Sequence, residues 1–251
     1  SKAEDVAPYL RGLPALFNFD MGYSITQVVN AGMDSIGLIS RYKEISDYYT
    51  AATSEYLDAT FLRNHDQNRI LSELGGDQDK MRAAAGLLLT LPGTPYLYYG
   101  EEIGMLGVKP DEHMREPFVW DTGTMDTLQT NWMPAKYSTD QTIAPLSKQK
   151  NDSGSLYSFY RNFIHYRNAS KVLIFGGIEG TDFRIKEVVS FKRYHEGDQL
   201  LVLNNISDVE VTIELLENDS MFDDLDYDSN GTAELKNGEL RLPAFTTVIL
   251  K

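Results

Sequence analysis

The chain has 251 residues, 42% of them apolar and 24% charged, enough for one large globular core or two medium ones. A formal charge of −14, from 37 acidic against 23 basic residues, argues against nucleic acid and anionic membranes as partners and suits a neutral substrate. With no cysteine, disulfides and thiolate metal sites are excluded, while cytoplasmic and secreted locations both stay open.

The opening Ser1-Lys-Ala-Glu-Asp-Val has neither an initiator Met nor an export signal, which reads as an internal fragment or processed piece. No apolar run is long enough to span a membrane. Residues 1–16 form a polar lead of turn and short helix. Ala15-Leu-Phe-Asn-Phe-Asp20 then reads as a buried strand of parallel-sheet type. From Tyr23 to Thr53 the apolar residues recur at helical spacing, with one break suggested by Gly32 and Gly37. Asp58 to Asn64 is a second strand. Asp77 is placed to cap a helix over Asp79–Leu91, which Leu91-Pro92-Gly93 stops. Thr94 to Gly100 is a third strand. Alternating strands and helices of this kind imply a parallel α/β sheet.

Residues 104–153 make a long connection punctuated by Pro and Gly and rich in Trp, Tyr and Asp, a length that usually carries function. Ser155 to Asn168 is helical. After Lys171 the pattern changes to short strands of period two, at 188–194, 199–205, 209–215, 239–242 and 246–250, with turns at His195–Asp198 and Lys236–Gly238. This predicts a small antiparallel sandwich, with the domain boundary near residue 170. One part therefore covers 1–170 and the other 171–251.

The stretch Phe61-Leu-Arg-Asn-His-Asp-Gln-Asn-Arg69 runs from an apolar strand into a polar cluster, and strand carboxyl ends are where α/β proteins gather their working side chains. Asn64-His65-Asp66 resembles the signature at the seventh barrel strand of the α-amylase family of glycoside hydrolases. Phe17-Asn-Phe-Asp20 resembles that family's sixth strand. Leu91-Pro-Gly-Thr-Pro-Tyr-Leu-Tyr-Tyr-Gly-Glu-Glu-Ile-Gly104 resembles the passage from helix seven through strand eight, and Met114-Arg-Glu-Pro-Phe-Val-Trp120 an element of the following loop. The resemblance covers nearly the whole chain. It implies the C-terminal part of a (β/α)8 barrel followed by an all-β antiparallel sandwich, from a retaining enzyme acting on α-1,4-glucans such as maltooligosaccharides. α-Glucosidase, oligo-1,6-glucosidase and transglycosylase activities belong to the same family pattern. A non-catalytic carbohydrate-binding or assembly piece is the alternative of a different class.

Under this resemblance Asp66 is the carboxylate that holds sugar hydroxyls in the oxocarbenium-like transition state, and His65 donates to a neighbouring hydroxyl. Arg69 orients substrate or carboxylates, or else forms a structural ion pair. Arg115 reaches the sugar or anchors its own loop. Trp120 and Trp132 are the aromatics placed to stack on sugar, whereas Tyr98 and Tyr99 read as core, and Glu101 and Glu102 as residues that shape the site. The family's nucleophile and acid/base stand on strands four and five, and no segment here matches them. The chain alone is therefore expected to be inactive, with two open sheet edges that need the N-terminal half of the barrel or self-association.

Asp226, Asp228, Asn230 and Gly231 have calcium-loop spacing, but Asn237 stands at the twelfth position and no helices flank the stretch. It reads as an acidic hairpin tip. No cofactor is expected, calcium being the one alternative.

Overall fold

The computed structural model describes residues 2–122, 129–181 and 183–251. After two short helical turns, Ala3–Val6 and Ala7–Arg11, strand β1 (Ala15–Asn18) leads into helix α1 (Phe19–Ala31). Asn18 starts that helix by accepting the Met21 amide on its side chain. Gly32 and Gly37 both lie at left-handed φ (64° and 68°), so the long helical pattern divides there, and α2 runs Leu38–Ala52. The carboxylate of Asp34 caps α2 at the Leu38 amide.

Strand β2 is Leu57–Phe61, ending earlier than the sequence pattern suggests. Beyond it Leu62 is fully buried, and Arg63 turns its guanidinium back onto the carbonyls of Gly22 and Leu62. Helix α3 (Gln78–Thr90) starts at Asp77, whose side chain accepts the amides of Asp79 and Lys80. Strand β3 is only Thr94–Tyr96. It stops because Tyr98 and Tyr99 leave the sheet to donate to the carbonyls of Met114 and Glu116 in the long connection. The three strands pair in parallel in the order β1-β2-β3.

Alternation puts Phe17, Phe61 and Tyr96 on one face of this sheet, with Phe17 5.4 Å from Phe61 and 5.2 Å from Tyr96 between ring centroids. Phe61 is buried, but Phe17 and Tyr96 are 52% and 46% exposed. The opposite face turns Asn18 and Asp58 toward each other at 3.0 Å, both buried.

Helix α4 (Leu156–Ala169), capped by Ser155, packs on α3, and a short helix at Lys171–Phe175 follows. The remainder is built, among the described residues, of strands β4 (Gly177–Gly180), β5 (Val188–His195), β6 (Asp198–Asn205), β7 (Val211–Glu214), β8 (Leu225–Asp228), β9 (Glu234–Lys236), β10 (Glu239–Leu242) and β11 (Thr247–Leu250). They form a five-stranded sheet, β4-β5-β6-β11-β8, over a three-stranded one, β7-β10-β9. Alternate residues of the larger sheet serve two cores. Val188, Leu201, Leu203, Val248 and Leu250 face the smaller sheet, while Val189, Phe191, Leu200, Val202 and Ile249 join the helices. Burial on both sides explains the unbroken run Leu200-Leu-Val-Leu203.

The acidic stretch at 224–231 is not a free hairpin tip: Leu225–Asp228 is strand β8, paired with β11. Asp226 accepts the Tyr166 hydroxyl at 2.6 Å and pairs with Lys251, and Asp228 accepts the amides of Asn230 and Ala233. Among the described residues no group of three or more His, Asp or Glu is arranged to hold a metal.

Candidate active site

The polar cluster follows β2 directly, at the carboxyl end of the parallel sheet. Asn64 accepts the Asp66 amide at 2.9 Å on its side chain, a local turn that lifts the next two side chains out of the core. His65 and Asp66 are 61% and 62% exposed, with Nε2 of the first 3.4 Å from Oδ1 of the second. Such a pair offers a carboxylate acceptor and an imidazole to adjacent hydroxyls.

Arg115 comes to this pair from the long connection. Its Nη2 donates to Asp66 at 3.2 Å and to Asp111 at 2.8 Å, and its Nε donates to the His65 carbonyl at 3.1 Å. Both readings of Arg115 from the sequence are thus compatible with its place: it holds its own loop and it stands against Asp66.

Arg69 is 2% exposed and lies between two rings, 4.6 Å from the centroid of Tyr98 and 4.7 Å from that of Tyr99. Its Nη1 donates to the Tyr99 carbonyl at 2.7 Å, while Nε and Nη2 have no hydrogen-bond partner among the described residues. It makes no ion pair within 4.0 Å there either. Burial lowers its pKa. Trp120 is 43% exposed and packs its ring on Phe118 at 4.5 Å. Among the described residues no hydrogen bond, ion pair or ring contact joins it to Asp66, His65, Arg69 or Arg115.

Three residues here escaped the sequence pattern. Glu116 is fully buried, and its carboxylate takes the backbone amides of Lys136, Tyr137 and Ser138 at 2.8–3.1 Å. Asp111 shares Arg115 with Asp66. Tyr99 links the clusters, stacking on Arg69 and donating its hydroxyl to the Glu116 carbonyl at 2.8 Å. Only the Arg-Glu-Pro spelling marks the place of Glu116, and nothing local distinguishes its burial. Glu101 sits behind the site, accepting the Tyr160 hydroxyl at 2.8 Å, and burial pushes its carboxyl up to about 8.

Comparison with known proteins decides the family. Residues 11–176 match the model of the alpha amylase catalytic domain, and residues 188–249 match that of the alpha-amylase SusG C-terminal domain. The chain belongs to the α-amylase family. This α-amylase-family chain is 33% identical to Alpha-amylase 3 of Dictyoglomus thermophilum over 98% of its own length and 48% of the relative's. It is 31% identical to Alpha-amylase SusG of Bacteroides thetaiotaomicron, covering all of this chain and 37% of that protein. The crystal structure of alpha-amylase from H. orenii superposes with a TM-score of 0.87 at 36% identity, over 100% of this chain and 51% of that one. The chain thus spans about half the length, or less, of the relatives it matches. Its fold is a part of the α-amylase barrel followed by the antiparallel C-terminal domain.

Proposed function

We propose that this chain supplies the C-terminal portion of a retaining glycoside hydrolase acting on α-1,4-glucans, with the parts meeting near residue 170. The carrying observation is the exposed His65–Asp66 pair at the carboxyl end of β2, held from behind by Arg115. Asp66 takes two hydroxyls of one sugar ring, and its bonds strengthen as the ring flattens toward the oxocarbenium-like transition state. His65 donates to a neighbouring hydroxyl. Arg115 orients Asp66, Arg69 braces the aromatic pair beneath, and Trp120 offers its exposed face to a more distant sugar. A retaining mechanism needs a second and a third carboxylate flanking the bond. No residue of this chain is assigned to them, so the chain alone turns over no glucan.

The partner is the remainder of the barrel. Phe17 and Tyr96, half exposed on the inner face, and the free edges of β1 and β3 are what such a partner covers. The test is the intact mass of the particle isolated from its own source, beside a maltoheptaose hydrolysis assay. The rest of the barrel is expected in the particle, on the same polypeptide or a second one, together with activity that Asp66→Asn abolishes. Turnover by a lone 28.3 kDa species overturns the reading.

A further inference from the structure

Glu116 is a carboxylate spent entirely inside the protein. It is fully buried, pairs with no Arg or Lys among the described residues, has His113 Nδ1 3.6 Å away, and accepts three successive amides, 136–138, from farther along the long connection. A carboxylate so gripped fixes two distant pieces of loop against each other, because releasing it strands a buried charge. Its carbonyl also accepts the Tyr99 hydroxyl, which ties the same point to the end of the parallel sheet. The next residue back, Arg115, reaches Asp66, Asp111 and the His65 carbonyl from this anchored backbone.

We propose that Glu116 is a positioning residue, acting through Arg115 to set the orientation of the Asp66 carboxylate. Asp111 completes the device. Because Arg115 Nη2 is shared between the two acids, Asp111 keeps the guanidinium in place when Asp66 exchanges its ion pair for sugar hydroxyls. The Asp66–Arg115 pair is open to solvent, so that exchange carries a small penalty. This inference rests on the role proposed for Asp66, but its test does not use glucan.

The experiment follows the Arg115 side-chain Nε–H by ¹⁵N-edited NMR in the full chain. In Glu116→Gln the amide NH₂ faces donors, the 136–138 amides exchange faster, and the Arg115 Nε–H exchanges about ten-fold faster as one charge-assisted hydrogen bond is lost. The guanidinium signals of Arg167 and Arg193, both buried elsewhere, stay unchanged and report that the fold is intact. Tyr99→Phe, a milder change on the same anchor, accelerates Arg115 exchange about three-fold. Arg115 exchange unaltered in Glu116→Gln while the 136–138 amides are released overturns the proposal, as does unaltered exchange in Tyr99→Phe should the first variant not fold. Failure of Asp66→Asn to abolish activity in the assay above would sink the catalytic reading and leave this outcome separate.

Discussion

Arg193, on β5, donates a hydrogen bond to the carbonyl of Thr90, the last residue of α3. The same guanidinium also takes the carbonyls of Val172, Leu173, Gly176 and Gly177, and Arg167 on α4 takes those of Leu89, Leu91 and Gly93. Two buried cations, with no carboxylate partner among the described residues, thus converge on the negative end of one helix. Burial lowers both, Arg167 to about 10 and Arg193 to about 9, so each stays charged at neutral pH. The consequence is mechanical: one face of the larger sheet shares a core with the helices of the α/β part, and the two arginines latch that contact.

Arg193→Met keeps the apolar stem and removes the latch, leaving several carbonyls buried without donors. We expect a loss of about 3–5 kcal/mol, the scale of an uncompensated buried polar cluster. Urea unfolding should show one cooperative transition at lower midpoint. Two separated transitions in the native chain would contradict the shared core.

Gly86 lies in the middle of α3, where alanine ordinarily stabilises a helix by about 1 kcal/mol. Here a Cβ would stand 2.1 Å from Thr247 Oγ1 on β11. Gly86→Ala is therefore expected to lower the melting temperature. Adding Thr247→Ala, which removes the obstructing hydroxyl, should recover part of the loss in a double-mutant cycle. Additive effects would mean that α3 does not lie against β11 as described.

Asp58 is buried beneath the parallel sheet, and burial raises its pKa to about 7, with the Asn18 amide only partly opposing. Between roughly pH 4 and its folded pKa the native state binds a proton that the unfolded chain has released. Its contribution to stability is thus complete in acid and is lost as pH rises through 7. Glu101, raised to about 8 by burial, acts in the same direction. Urea midpoints should fall from pH 5 to 8.5, and Asp58→Asn, neutral throughout, should flatten that slope by about 2 kcal/mol over the range. An equally steep slope in the variant would place the proton uptake elsewhere.

Arg115 and Asp66 are 40% and 62% exposed, so their ion pair contributes little to folding. Arg115→Ala should change stability by less than about 1 kcal/mol. In the active particle we expect glucan turnover to fall about ten-fold or more, because Asp66 loses its orienting donor. A turnover unchanged by Arg115→Ala would remove that residue from the site.

The linear chain determined what depends on near neighbours. The caps at Asp77 and Ser155, the glycine break between α1 and α2, the strand-helix alternation and the motif around Asp66 are all set within a few residues. Such signals act through local hydrogen bonds and side-chain periodicity, which a sequence displays directly. The short strands β4, β8 and β9 lacked them. All three are short polar edges; β4 and β8 find partners well along the chain, Gly177 with Tyr194 and Tyr227 with Ile249, while β9 pairs with β10 across the Lys236–Gly238 turn. The buried polar groups were likewise decided by tertiary structure alone. Arg193 finds Thr90 across 103 residues, Tyr160 finds Glu101 across 59, and Glu116 meets Ser138 from the other end of its loop. Arg, Glu and Asp read as solvated surface until packing encloses them, because what makes their burial tolerable is a set of carbonyls or amides assembled only by the fold.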